Sequence, residues 1–223
     1  MLKSMAATAA FAGLHSVTAS ERMKQGVAEL VGERQRNAFY RPLYIAESAV
    51  SLALLAWYIQ RQPARVLWRV TGMPALAMRM GQAGWLAVAA ASAHQVGILR
   101  MLGLDGLRAY LRGDAHVPPE PAAQGPAHDD ETGGMRQTGA FRYSQHPLNF
   151  AFLPVFWLFP KMKTSLLGFS IAGSLYLWLG SFHEAAALEE RYGKDYREYE
   201  RSGVPFFAPM DVSGWRDALS ALW

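Results

Sequence analysis

The chain has 223 residues, 51% apolar and only 18% charged, which is too few charges for an ordinary soluble protein of this length. It has no cysteine, which excludes disulfides, thiolate metal sites and a cysteine nucleophile, and its net charge of +4 is spread beside apolar runs rather than gathered with aromatics, so it indicates no nucleic-acid partner. A mean hydropathy near zero conceals this pattern, because the polar residues collect in a few blocks between long apolar tracts.

The first tract, Met5 to Ala19, is small and apolar between Lys3 and the charged run Glu21, Arg22, Lys24. It reads as a retained membrane span rather than a signal peptide, since His15 and Ser16 lie inside it and no convincing cleavage site precedes Glu21. The second, Pro42 to Gln60, has about the roughly 20 residues a helix needs to cross hydrocarbon. Pro42 suits its first turn, and Trp57 with Tyr58 an interfacial belt. A third tract, Gly81 to Leu102, is rich in the Ala and Gly that let helices approach closely.

Composition changes at Gly113, where a Pro-, Gly- and acid-rich stretch to residue 135 reads as a solvated linker. Its acidic run Asp129, Asp130, Glu131 reads as solvated loop rather than a metal site. Pro147 to Phe182 is long enough for two helices, and Pro160-Lys161-Met162-Lys163 supplies a turn, so a membrane hairpin is expected. An amphipathic helix from about Ala185 to Arg201 follows, then an apolar, Pro-bounded tail from Val204 to Pro209 that folds back.

The expected fold is therefore all-α: a polytopic membrane bundle of about five transmembrane helices with a C-terminal amphipathic helix. Its parts are an N-terminal membrane region (1–112, spans near 5–19, 42–60 and 81–102), the linker (113–135), the hairpin with the C-terminal helix (136–209) and a tail (210–223). More Arg and Lys fall on the side of the linker and C-terminus, which predicts that both are cytoplasmic, although Arg61, Arg65, Arg69 and Arg79 oppose that count. Oligomeric state is not legible.

The densest chemical signal flanks the hairpin. Gly139-Ala140-Phe141-Arg142-Tyr143-Ser144-Gln145-His146-Pro147-Leu148-Asn149 stands before it, and Glu184 with Glu189-Glu190-Arg191-Tyr192-Gly193-Lys194-Asp195-Tyr196 and Tyr199 through Val204-Pro205 after it. A hairpin returns its ends to one face, so His146 and Glu184 should meet. His183-Glu184 lacks the second histidine of a zincin, Ala187 standing there, and no metal site is expected.

This pattern resembles the C-terminal half of the isoprenylcysteine carboxyl methyltransferase and phospholipid methyltransferase superfamily, in which G-x-Y-R-Y-x-R-H-P-x-Y precedes a helical hairpin. In the N-terminal half, Leu14-His15-Ser16-Val17-Thr18-Ala19 through Lys24, with Arg41 and Tyr44, is similar to the bacterial methanethiol S-methyltransferase and NnrU-like branch. The resemblance implies a bacterial inner-membrane enzyme that transfers a methyl group from S-adenosylmethionine to a small or lipophilic acceptor. His146 and Glu184 would bind the cofactor. Three positions depart from the pattern: Gln145 replaces an Arg, Asn149 a Tyr and Ala185 a second Glu.

The methionyl end of such a cofactor carries a carboxylate and an ammonium. Arg142, Gln145, His146 and Asn149 are candidates for the first, Glu184 for the second, and a hydroxyl such as that of Tyr196 is a minor candidate contact. Blander roles compete with these: His146 as a helix cap, Tyr192, Tyr196 and Tyr199 as packing, Glu190 with Lys194 as a surface ion pair. His15 is either a base on the acceptor side or a bond within the bundle, and with Arg142 it is the catalytic candidate; His94 reads as structural. Two other classes stay open, a membrane reductase of the sterol-reductase type using NADPH and a non-catalytic protein that keeps the scaffold.

Overall fold

A computed structural model describes residues 1–121, 123–129 and 134–207. Among them run nine α-helices: α1 (Leu2–Ala19), α2 (Glu21–Val31), α3 (Glu33–Arg61), α4 (Gly72–Val96), α5 (Ile98–Met101), α6 (Leu104–Arg112), α7 (Pro147–Trp157), α8 (Thr164–Tyr192) and α9 (Lys194–Glu200). The short strands are β1 (Val66–Arg69), β2 (His128–Asp129), β3 (Gly134–Met135) and β4 (Lys161–Lys163). They pair as two antiparallel ribbons, β1 with β4 and β2 with β3. The protein is thus mostly helical, and α3 and α8 are long and apolar enough to cross a membrane.

The expected boundaries shift in physically readable ways. Pro42 does not open a helix: α3 starts at Glu33 and carries Pro42 inside it, because the preceding residues already pack, with Ala38 fully buried against Ala109 and Val117. The third tract is not one helix to Leu102, since α4 ends at Val96 and Gly97 separates it from α5. The helix expected from Ala185 is the end of α8, which runs unbroken through Glu184. Gly193, at φ 54, stops it, a conformation that disfavours residues with a Cβ, and α9 begins beyond. That break also removes the expected Glu190–Lys194 spacing: Lys194 pairs instead with Glu198, at 3.3 Å.

The chain forms two compact units, each assembled from separated stretches. The first comprises Met1–Thr71, Gly97–Pro121 and Pro160–Tyr176. Here α3 packs on α6 at Gly106, where a Cβ would stand 2.5 Å from the Asn37 carbonyl oxygen. The expected linker is not solvated throughout, because its Val117–Glu120 stretch is pinned. Val117 is buried, Asn37 Nδ2 donates to the Val117 carbonyl (3.0 Å), and Glu120 is held by Arg36 (2.9 Å) and Lys24 (3.3 Å). The Pro-Lys turn of the hairpin is β4, paired to β1 with Met162 fully buried.

The second unit comprises Gly72–Val96, Ala122–Phe159 and Leu177–Trp223. Its α4 lies along α7, anchored by Gln82 Nε2 donating to the Val155 carbonyl (2.9 Å) and by Trp85 set edge-on to Phe150. A second apolar cluster joins Ala185, Leu188, Tyr196, Tyr199 and Val204, and a third gathers Phe206 and Phe207 with Phe150, Leu153, Trp178 and Phe182. The end of the expected linker belongs here too, with Gly125 and Pro126 buried. Asp130, Glu131 and the side chain of Asp129 lie outside the described residues, as does the expected tail beyond Phe207.

Candidate functional site

The site grows from two helix segments of the second unit. Pro147 occupies the first turn of α7, where its missing N–H costs nothing, and this fixes His146 at the cap. From α8, Ser181 and Glu184 lie three residues apart and so share a face. The His146 Nδ1 atom stands 3.0 Å from Glu184 Oε2, and Asn149 Nδ2 donates both to that oxygen (3.1 Å) and to Ser181 Oγ (2.9 Å). The other carboxylate oxygen, Oε1, accepts from the backbone N–H of Gln124 at 2.8 Å.

Burial makes this cluster electrostatically consequential. The His146 side chain is fully buried and that of Glu184 is 12% exposed. A carboxylate and an imidazole so placed interact far more strongly than at a surface, and each contact is a charge-assisted bond when the carboxyl is ionised. Phe206 covers the imidazole at a ring separation of 4.6 Å and stacks on Phe182 at 4.5 Å, which keeps water from it. One polar atom stays unmatched: His146 Nε2 is buried with no hydrogen-bond partner among the described residues. Orphaned buried nitrogens are rare in folded proteins and need a reason.

A clasp of main-chain bonds holds His146 in place. The Gln145 N–H donates to the Pro205 carbonyl (2.9 Å), and the Ser144 hydroxyl to that of Phe206 (3.1 Å) while accepting from the His146 N–H (3.2 Å). Gln145 Nε2 donates to the carbonyls of Val204 (2.8 Å) and Glu200 (3.3 Å). Tyr199 closes the clasp by donating to the Phe141 carbonyl (2.9 Å); burial pushes its phenol above the usual range, so it remains a donor at neutral pH.

The expected site residues therefore separate. His146, Asn149 and Glu184 come together. Gln145 does not face a ligand, because both amide hydrogens are committed to the returning chain; a residue with two carbonyls in reach uses its donors there. Arg142 is exposed, and its Nε donates to the Gln137 carbonyl (3.1 Å). Tyr196 is buried in the apolar cluster with Leu188 and Tyr199, a packing role. His15 belongs to the first unit, where its ring bonds Tyr44 and Ser48. Ala185, the position of the second family Glu, is fully buried in the same cluster, where a carboxylate would lose its solvation.

Sequence reasoning missed Gln124, Ser144, Ser181 and Phe206. Ser181 and Ser144 could have been found by helical spacing from Glu184 and proximity to His146. Gln124 acts through its backbone, which no residue type announces.

No family model matches the chain, and no solved structure does. Curated proteins do. Methanethiol S-methyltransferase 1 of Bradyrhizobium diazoefficiens is 26% identical over 196 residues, which cover 86% of this chain and 61% of that protein. Methanethiol S-methyltransferase 2 of the same organism is 29% identical over 89% of this chain and 69% of its own length, and the Pseudomonas deceptionensis enzyme of the same name 27% over 86% and 66%. The chain thus spans 61% of the first of these relatives. Over most of its length the chain is thus similar to bacterial proteins named methanethiol S-methyltransferase.

Proposed function

We propose that the chain is an integral membrane methyltransferase that takes its methyl group from S-adenosylmethionine and gives it to a small or lipophilic acceptor, a small thiol foremost. The observation that carries this reading is the buried His146–Glu184–Asn149 cluster with its unmatched Nε2 atom. The names of the relatives, all methanethiol S-methyltransferases, support the reaction class and the thiol.

The residues suit the amino-acid end of that cofactor. A carboxylate offers about four acceptor positions, and Glu184 uses three, which leaves one for an ammonium. Held at Nδ1 by Glu184, a protonated His146 presents Nε2–H to a carboxylate. Asn149 fixes the Glu184 rotamer through its second bond to Ser181, and the Phe182–Phe206 stack excludes water. The cofactor supplies an already activated sulfonium methyl, so the chain has only to hold donor and acceptor in line, roughly 3 Å apart.

Membrane insertion is the physical counterpart of a lipophilic acceptor. Leu43, Val50, Leu52, Leu54 and Trp57 on α3, with Leu175 and Leu179 on α8, are exposed, a surface that water disfavours and lipid accepts. We place α3 and α8 across a bacterial inner membrane within a polytopic bundle, the linker and C-terminus cytoplasmic. Because the chain lacks cysteine, single cysteines placed at positions 116 and 62 test the orientation by labelling from one side.

Titration of the detergent-purified protein with S-adenosylhomocysteine tests the function, with NADPH as competitor. Saturable binding untouched by NADPH is expected. No binding at millimolar concentration, or displacement by NADPH, overturns it.

A further inference from the structure

The first unit holds a second polar cluster inside apolar helices. His15 of α1 stands with Nε2 2.7 Å from the Tyr44 hydroxyl and Nδ1 3.0 Å from Ser48 Oγ, both on α3. Tyr176 of α8 sets its ring edge-on to His15 and accepts from Ser16 Oγ at 3.4 Å. Between Tyr44 and Ser48 in sequence stands Glu47, one turn from Tyr44 and close enough to act electrostatically on both His15 and Tyr44. Both Glu47 carboxylate oxygens are shielded from solvent and have no hydrogen-bond partner among the described residues.

A carboxyl buried without a partner costs several kcal/mol, about the size of a domain's whole net stability at the low end, so an idle one is poorly tolerated. The nearby cation does not relieve it. Arg41 spends its Nε on the Met101 carbonyl (2.6 Å) and lies over the Tyr44 ring at 5.1 Å. It lends positive field without making the bond. His15, by contrast, has both nitrogens engaged, so the group open to a ligand is Glu47 and the histidine positions the hydroxyls around it.

We propose that Glu47 is the proton acceptor of a binding site for a small neutral thiol, the acceptor class of the function proposed above, on which this inference rests. The thiol's S–H bond breaks, the proton passes to a Glu47 oxygen to give the neutral acid, and the electron pair remains on sulfur as thiolate. His15, donating through one ring nitrogen and accepting through the other, leaves one of the Tyr44 and Ser48 hydroxyls free to donate to that thiolate. One orphaned oxygen gains the proton and can return it as a hydrogen bond to sulfur, and the negative charge passes from Glu47 to the ligand.

Difference infrared spectroscopy of the full chain in lipid nanodiscs reads this directly, with ethanethiol as the probe and ethyl methyl sulfide, which has no S–H, as the control. Ethanethiol should raise the protonated-carboxyl C=O band, the sulfide should not, Glu47→Gln should abolish the rise, and Glu47→Asp should retain it at a shifted frequency. No rise in the native chain, or the same rise in Glu47→Gln, overturns the proposal. S-Adenosylhomocysteine affinity measured on the same samples separates the two readings and reports folding. If the thiol band rises while no cofactor analogue binds, the methyltransferase reading fails and this one stands. If the analogue binds and no band rises, the reverse holds.

Discussion

Replacing Glu184 by Gln changes one atom and tests the site at its centre. A carboxylate offers two acceptor oxygens, whereas the amide offers one acceptor and one donor. With its carbonyl toward the Gln124 N–H, the new NH2 faces Asn149 Nδ2 and His146 Nδ1, which stand 3.1 and 3.0 Å from the present oxygen. Asn149 falls back on Ser181, and His146 escapes only by giving up its Nδ1 proton while keeping Nε2–H, which removes the positive charge offered to a ligand carboxylate. The lost charge-assisted contact is worth about 1.5–3 kcal/mol, or a roughly 10- to 150-fold weakening of S-adenosylhomocysteine binding. Isothermal titration in nanodiscs measures it. Nitrogen NMR of His146 should show the loss of the Nδ1 proton, and Glu190→Ala, at an exposed position, should bind as the native chain does. Binding by Glu184→Gln within about threefold of native, a difference of only about 0.6 kcal/mol, would refute the assignment.

Gln145→Ala removes the bonds to Val204 and Glu200 and should cost about 1–2 kcal/mol locally, seen as faster amide exchange across Val204–Phe207 with α3 unchanged; unaltered exchange would mean the main-chain bonds alone hold the clasp. Gly106→Ala puts a Cβ 2.5 Å from the Asn37 carbonyl oxygen and 3.0 Å from that of Pro118, both backbone atoms that cannot swing aside. It should lower thermal stability by about 1–3 kcal/mol, and an unchanged midpoint would mean that α6 shifts freely. Glu120→Ala leaves Lys24 and Arg36, at 8% and 13% side-chain exposure, without their shared carboxylate. A loss near 3 kcal/mol is expected, the low end for a broken buried pair because Lys24 keeps Glu21, and a denaturation curve matching the native one would contradict it.

The pairing of His146 with Glu184 was legible because a hairpin's geometry follows from two apolar runs and a turn, whatever packs around them. Helix boundaries were less so. Pro42 resembles a helix start and sits inside one, since tertiary packing at Ala38 carries the helix upstream of it. The linker misled for a related reason: its Pro- and Gly-rich composition denotes extended chain, which is correct, but extended chain can still be pinned by Asn37, Arg36 and Lys24, residues of distant sequence. The roles of Gln145 and Arg142 depended on which carbonyl each side chain reaches, and composition carries no such information. Glu47 was a similar case. This lone acid within Pro42–Gln60 was passed over in the sequence, because what sets it apart, two carboxylate oxygens with no hydrogen-bond partner among the described residues, is a property of the folded chain.

The clasp around His146 is made largely against carbonyl oxygens of Val204, Pro205 and Phe206, and every residue has one. Positions 204 and 205 can therefore exchange side chains of similar bulk without releasing the histidine, whereas an inserted or deleted residue there would slide each oxygen out of register and free it at once. Sensitivity to length, with indifference to spelling, is the signature this segment should leave in a saturation library.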